Sequence, residues 1–575
     1  MPTLPIFSID CYNSTGIDVK HLEQAYVYTE EDITNDYNPF RIKNIQNYNP
    51  IYNRFLTLTE ATYNSIQLNH TYHFVNPTTV RDHHTDELLT KPVFIKYSPL
   101  LDPIRYMVGK YVSNGDSIYN LPSLNATGMP KLYEPNNAAY VDNFFYFLTS
   151  KVLHQYNFVH GIDYYGSYLG IQDKFKMNVA DDMEYLITSP FFNEQMNKLF
   201  TVCNHDNSSY FADSSRRNRA KLCISNTIHN ISAISISDCI ETCEPNDAIE
   251  ETETIYENKQ MTEPDKTEHD NSSHSSTSSS DNSNYNDSSD DEGASENAND
   301  DDDNEQDWET ETETETERSE TTDNDDVQYG YINNFPVQLI CIEQCDGTLD
   351  DLFVKHKLNE DTAAAALFQV IMTLIVYQKM FHFTHNDLHT NNVMYIETKE
   401  PYLYYKYENL TYKVPTYGKI FKLIDFGRSI YTFNGKTMCS DSFAPGGDAA
   451  TQYNCEPYLD NTKPVIEPNY SFDLCRLGCS IYDFIIPDDE DYENYDELQK
   501  TIHRWCLDDR GKNVMYKRNG DERYPQFKLY KMGARTVHNH TPQSQLQRSF
   551  FKQFLSISST NNTKCINIDE LPCCA

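Results

Sequence analysis

The chain alternates between segments with regularly spaced apolar residues and segments that carry almost none. FPVQLICIE (335–343) is a nearly unbroken apolar run and predicts a buried strand. CDGTLDDLF reads next as a turn into a short helix, and 362–382 predicts a long buried helix. Upstream, TKPVFIKYS (90–98) has strand character, YVDNFFYFLTSKVL (140–153) has helical spacing, and FVHGIDYYGSYLGI (158–171) predicts paired strands. FFNEQMNKLF (191–200) suggests a short helix. NVMYI (392–396) and KIFKLI (419–424) predict two short strands separated by a Tyr-rich excursion. After 470 the spacing is helical in YSFDLCRLGCSIYDFI, in DELQKTIHRWCLDD and in QSQLQRSFFKQFLSI. Strands and one helix first, helices later, predict an α+β protein with a small lobe and a larger helical lobe.

Between 243 and 332 the pattern gives way to Ser, Thr, Asn, Asp and Glu. Such a segment buries too little apolar area to offset chain entropy and is expected to be disordered. It also holds most of the charge. Positions 241–330 carry 32 acidic and 3 basic residues, a net of −29 out of −41, which leaves the remaining 485 residues at −12. The tract can bind a basic partner by charge, and Ser288 and Ser289 each precede an acid by three positions, as acid-directed phosphorylation sites do. With no basic stripe elsewhere, nucleic-acid binding is not expected.

The first residues lack the basic and apolar regions of a secretory signal. The apolar stretch 363–383 is interrupted by Gln369, Thr373, Gln378, Lys379 and His382, which predicts a buried helix rather than a membrane span. Fifteen cysteines, an odd number, suggest free thiols in a reducing compartment.

The chemistry concentrates in FHFTHNDLHTNNVMYI (381–396), a polar loop between two apolar segments, followed by Asp425-Phe-Gly427 after the second short strand. This order resembles the protein-kinase signature, in which H-R-D-L-x-x-x-N precedes a strand pair and D-F-G. His385, Asp387, Leu388 and Asn392 match it position for position. VFIK (93–96) stands where the family has V-A-I-K, ICIEQCDGTLDDLF resembles its strand-hinge-helix segment, and Asp473 to Gly478 resembles the start of the helix beneath the catalytic loop. The Asn- and Tyr-rich wording is similar to that of the serine/threonine kinase-like proteins of giant DNA viruses, mimivirus-like ones in particular. The resemblance covers about 90–171 and 335–555.

The resemblance implies a bilobal protein-kinase-like fold with a long disordered acidic insertion in the small lobe. Its parts would be an N-terminal extension (1–60), a small lobe (61–171), the insertion (172–334), a last small-lobe strand and hinge (335–343), a large lobe (344–555) and a C-terminal tail (556–575). It implies ATP and Mg²⁺ as cofactors and protein Ser or Thr hydroxyls as acceptors. Asp387 would take or orient the acceptor's proton, Lys96 would hold the α/β-phosphates, and Asn392 and Asp425 would offer hard oxygens to Mg²⁺. Ile342, Glu343 and Cys345 would lie against adenine, Asp473 would tether the loop, and His385 would pack beneath it. The implied compartment is the cytoplasm of a host cell, or the virion.

Five departures qualify the pattern, the first being that A-P-E is absent from its usual place, with APGG at 444–447 and EPN at 467–469 only partial echoes. No glycine precedes Lys96 in IQLNHTYHFVNPTTVRDHHTDELLTKP, so no Gly-rich phosphate loop is present there. The acidic partner expected for Lys96 is a Glu; Asp142 is the nearest candidate. Asn386 replaces the Arg that grips a phosphorylated loop, which suggests activity independent of loop phosphorylation. His389 replaces a Lys that contacts the transferred phosphate, which suggests a pH-dependent rate. Two other readings stay open: a pseudokinase scaffold whose acidic loop recruits partners, favoured by the missing glycines, and a small-molecule phosphotransferase, favoured by the HxDLH motif.

Overall fold

The structure is a computed structural model that describes residues 4, 6–14, 16–203, 328–487, 492–517, 520–525, 527–556 and 564–575. Ser288, Ser289 and nearly all of the acidic tract lie outside the described residues. The described part mixes helices and sheets, in agreement with the α+β expectation.

The central feature is an antiparallel sheet in which Ile42–Gln46, Tyr164–Asn178, Tyr329–Glu343 and Val93–Pro99 lie side by side, with Phe200–Val202 adding to Tyr329–Glu343. The two long strands pair from Tyr329 opposite Asn178 to Ile342 opposite Tyr164. Residues 335–342 are buried on both faces, which is why this strand reads as a continuous apolar run rather than an alternating one. Its register sets Ile340 opposite Lys96.

Several boundaries differ from the sequence expectation. The stretch 158–171 forms no strand pair; it feeds one strand that continues to Asn178, because its partner is the distant segment 329–343. Residues 172–178 and 329–334 therefore belong to the sheet and not to an insertion. The segment 1–60 supplies the strand Ile42–Gln46, and the tail supplies Ile566–Asn567, which pairs with Tyr405 and Lys406. The predicted helix 543–557 is two short ones, Pro542–Gln545 and Ser549–Lys552.

The helix Ala138–Tyr156 starts where Asn137 accepts the N–H of Ala139 and stops at Asn157, in the left-handed conformation (φ 55°) that ends many helices. Phe144, Phe145 and Phe147 are fully buried on it. The helix Glu360–Phe381 opens with a reciprocal cap between Asn359 and Thr362 and ends at His382, also left-handed (φ 49°). It is the one described helix long and apolar enough to cross a membrane, yet 94% of its most apolar window is buried inside the protein. Its end delivers the polar loop 384–392, and strands Val393–Glu397 and Lys419–Leu423 pair antiparallel behind that loop. The Tyr-rich excursion between them is the hairpin Tyr402–Tyr407 and Leu410–Pro415.

Helix Phe472–Ile485 packs on Glu497–Trp505 at close range. A Cβ on Gly478 would sit 2.9 Å from the Cβ of Trp505, so a larger residue there would push the helices apart.

Candidate active site

Lys96 occupies the middle of its strand, with its Nζ 2.8 Å from Asp142 Oδ2 and 2.8 Å from Asp425 Oδ1. All three side chains are at most 9% exposed. An ammonium this deeply buried persists only when paired, and here two carboxylates share it. Burial is the largest influence on Asp142 and, with Asp425 close by, pushes its carboxyl up to about 6 against the opposing pull of Lys96. Asp142 also accepts the N–H of Phe426 (2.7 Å), and the hydroxyl of Tyr146, one turn along the same helix, accepts the N–H of Asp425 (2.8 Å). The helix Ala138–Tyr156 therefore holds both the lysine and the start of the Asp425-Phe-Gly segment. Asp425 has φ +63°, a conformation that costs energy for a non-glycine residue and that these contacts maintain.

The loop around Asp387 is anchored from below. Asp473 Oδ2 accepts the N–H of His385 and Oδ1 that of Asn386, both at 2.9 Å. Burial pushes the Asp473 carboxyl up, against these two amides and His385. The bidentate grip steadies Asn386 at φ +66°, and Asn tolerates that region better than most residues. The Asn386 side chain then links three segments: it donates to Arg428 O (3.0 Å) and accepts from Tyr453 (2.8 Å). His385 lies under the loop with its Nε2 2.9 Å from Ile424 O.

Asp387 accepts the hydroxyl of Tyr530 on Oδ1 (2.9 Å), while its Oδ2 lies 3.6 Å from Arg428 Nη1. Arg428 also pairs with Asp448 through Nη2 at 3.0 Å. Asn392 donates its amide to Asp387 O (2.9 Å) and to His389 Nε2 (3.1 Å), leaving its carbonyl oxygen as the group it can offer a cation. Asp425 lines the cavity of the site and offers it a hard carboxylate oxygen, whereas Asn392 does not line it. Among the described residues no cluster of three His, Cys, Asp or Glu side chains forms a complete metal cage.

Lys96, Asp142, Asp387, Asp425 and Arg428 line one cavity of about 510 Å³, which extends past Arg105 and Lys131 to the segment 441–448. Other residues expected at the site lie elsewhere. Ile342 and Glu343 are in the sheet, and Glu343 spends its N–H on Asp163 O and its carboxylate on Lys422 and the N–H of Asp163. Cys345 is a partly buried thiol packed against the hydrophobic core. None of these three lines the cavity, nor do the expected metal ligand Asn392 and His389, which are buried against each other. The glycine-free segment before Lys96 is a three-stranded antiparallel sheet of Tyr72–Asn76, Thr79–Asp82 and Leu88–Thr90.

Five contributors were not anticipated: Tyr146, Arg428, Asp448, Tyr453 and Tyr530. Tyr146 was within reach, since it stands four residues from Asp142 on a predicted helix and so shares its face. Arg428 directly follows the Asp425-Phe-Gly segment. Tyr530 lies 143 positions from Asp387, and no local pattern marks it. Comparison of the chain with protein-family models and with curated proteins found no match to either.

Proposed function

We propose that this chain is a protein-kinase-like phosphotransferase that moves the γ-phosphate of ATP to a Ser or Thr hydroxyl of a protein, within a bilobal arrangement of its sheet and its later helices. The observation that carries the reading is the buried Lys96, held between Asp142 and Asp425 by segments 46 and 329 positions away. Evolution of a merely structural protein has little reason to bury three charges there, because a well-packed apolar trio is at least as stable. A site that must hold phosphate and a cation has a reason.

In this reading Lys96 binds the α/β-phosphates as a fixed positive charge. Asp425, on the cavity wall, would hold Mg²⁺, which when bound neutralises charge on the phosphate oxygens. Asp387, on the wall of the same cavity, receives the acceptor's hydroxyl and orients or takes its proton. Asp473 and Asp142 touch no reactant; they fix the backbone and the lysine that do. Calorimetric titration tests the nucleotide half of the reading. Mg-ATP should bind the native chain, and Lys96→Met and Asp425→Asn should each weaken binding. A native chain that takes up no Mg-ATP would sink it.

A scaffold without catalysis is the second reading. It is favoured by one observation, the glycine-free sheet in place of a phosphate-cradling loop. Nucleotide binding without transfer would move the weight to it.

A further inference from the structure

Tyr530 is a residue of the site that no local motif anticipates. It sits on the helix Lys528–Thr536, far from the polar loop in sequence, yet its hydroxyl donates to Asp387 Oδ1 at 2.9 Å. The same hydroxyl oxygen accepts from Arg476 Nε at 2.8 Å. Arg476 is buried on the helix Phe472–Ile485, one turn from Asp473. That helix therefore reaches the loop twice, through Asp473 to its backbone and through Arg476 and Tyr530 to its side-chain carboxylate.

The contact has a direction. A guanidinium donating into the phenol oxygen draws electron density from the O–H bond and strengthens the bond that this O–H makes to Asp387. One carboxylate oxygen is thereby taken. The other, Oδ2, is 3.6 Å from Arg428 Nη1, beyond good hydrogen-bond length. The terminal torsion of an aspartate is broad and has no strong preference of its own, so an external bond has to select its orientation. Neither Tyr530 nor Arg476 lines the cavity, whereas Asp387 does. The tyrosine approaches from behind the wall.

We infer that Tyr530, polarised by Arg476, is a positioning residue: it pins Oδ1 of Asp387 so that Oδ2 is the oxygen presented to the acceptor hydroxyl. This rests on the phosphotransfer reading above. It assigns Tyr530 no contact with substrate and no proton of the reaction.

Substitution by Phe is a clean probe, because the ring packs against Phe472 and Phe527 and that packing survives loss of the oxygen. The experiment measures transfer of labelled γ-phosphate from Mg-ATP to a mixed protein substrate by the native chain, Tyr530→Phe, Arg476→Met and Asp387→Asn, with the melting temperature of each. Loss of one hydrogen bond to a charged group predicts a fall in kcat of roughly tenfold to a hundredfold for Tyr530→Phe. The KM for ATP should stay within about twofold, since the phosphate-binding groups are untouched, and the melting temperature should fall only by a few degrees, as loss of one buried hydroxyl does. Arg476→Met should lower kcat in the same direction.

Native kcat in Tyr530→Phe overturns the inference, and so does a loss that appears only as a raised KM or a collapsed melting temperature. If that happens while Asp387→Asn still abolishes transfer, the phosphotransfer reading stands without the tyrosine. Transfer that is absent from the native chain, or unaffected by Asp387→Asn, overturns both.

Discussion

Lys96 and Asp142 meet at 2.8 Å in the interior, one from the middle of a strand and the other from the second turn of a helix. The pair joins the sheet to that helix, and Asp425 closes the triangle from the segment after the polar loop.

Removing the ammonium alone strands two carboxylates in the interior. Lys96→Met should destabilise the fold by about 3–5 kcal/mol, the usual cost of breaking a buried ion pair from one side. Lys96→Met combined with Asp142→Leu should be less destabilised than the single variant. Urea unfolding of the four corners of this cycle measures it, and strictly additive losses would show that the two residues do not interact.

Protonation of Asp142 should leave a mark on stability. Its folded carboxyl holds a proton up to about 6, against an ordinary value of 3.8. Between those two values the folded state binds more protons than the unfolded chain, so this residue makes stability fall as pH rises through that window and contributes no further slope above it. The expected observation is a difference in slope between the native chain and Asp142→Asn when urea midpoints are compared from pH 4 to 7. Parallel curves would contradict the shift.

Arg428 pairs with Asp448 at 3.0 Å in the segment that lines the cavity and lies 3.6 Å from Asp387, while Asn386 stands where the kinase resemblance would put a phosphate-gripping arginine. In the proposed phosphotransfer reading, the Asp448 carboxylate would stand in for an added phosphate. Phosphatase treatment of an active preparation should leave turnover unchanged, and Asp448→Asn should lower it roughly tenfold through loss of a charge-assisted bond. Turnover that vanishes on phosphatase treatment would refute this.

How much of this was legible in the sequence depended on range. The helix around Asp142, the strand around Lys96 and the loop around Asp387 were readable because each is set by a local pattern of apolar residues, caps and turns. Tyr164–Asn178 was misjudged because its partner lies across the acidic tract, and strand pairing over such a distance leaves no local trace. The same holds at the site. Asp142 and Lys96 could be paired by their elements, and Tyr146 by its spacing from Asp142, whereas Tyr530 and Asp448 reach Asp387 and Arg428 only through tertiary packing. Glu343 and His389 show the converse: the motif supplied a role, but their neighbours Lys422 and Asn392 engage them away from the cavity.

The most direct test of the central claim is transfer of labelled γ-phosphate from Mg-ATP to protein acceptors by the native chain and by Asp387→Asn, which keeps the shape of the loop and removes its charge. The account predicts incorporation on Ser or Thr by the native chain and a loss of at least about a hundredfold in the variant. Equal incorporation by both, or none by either, would contradict it.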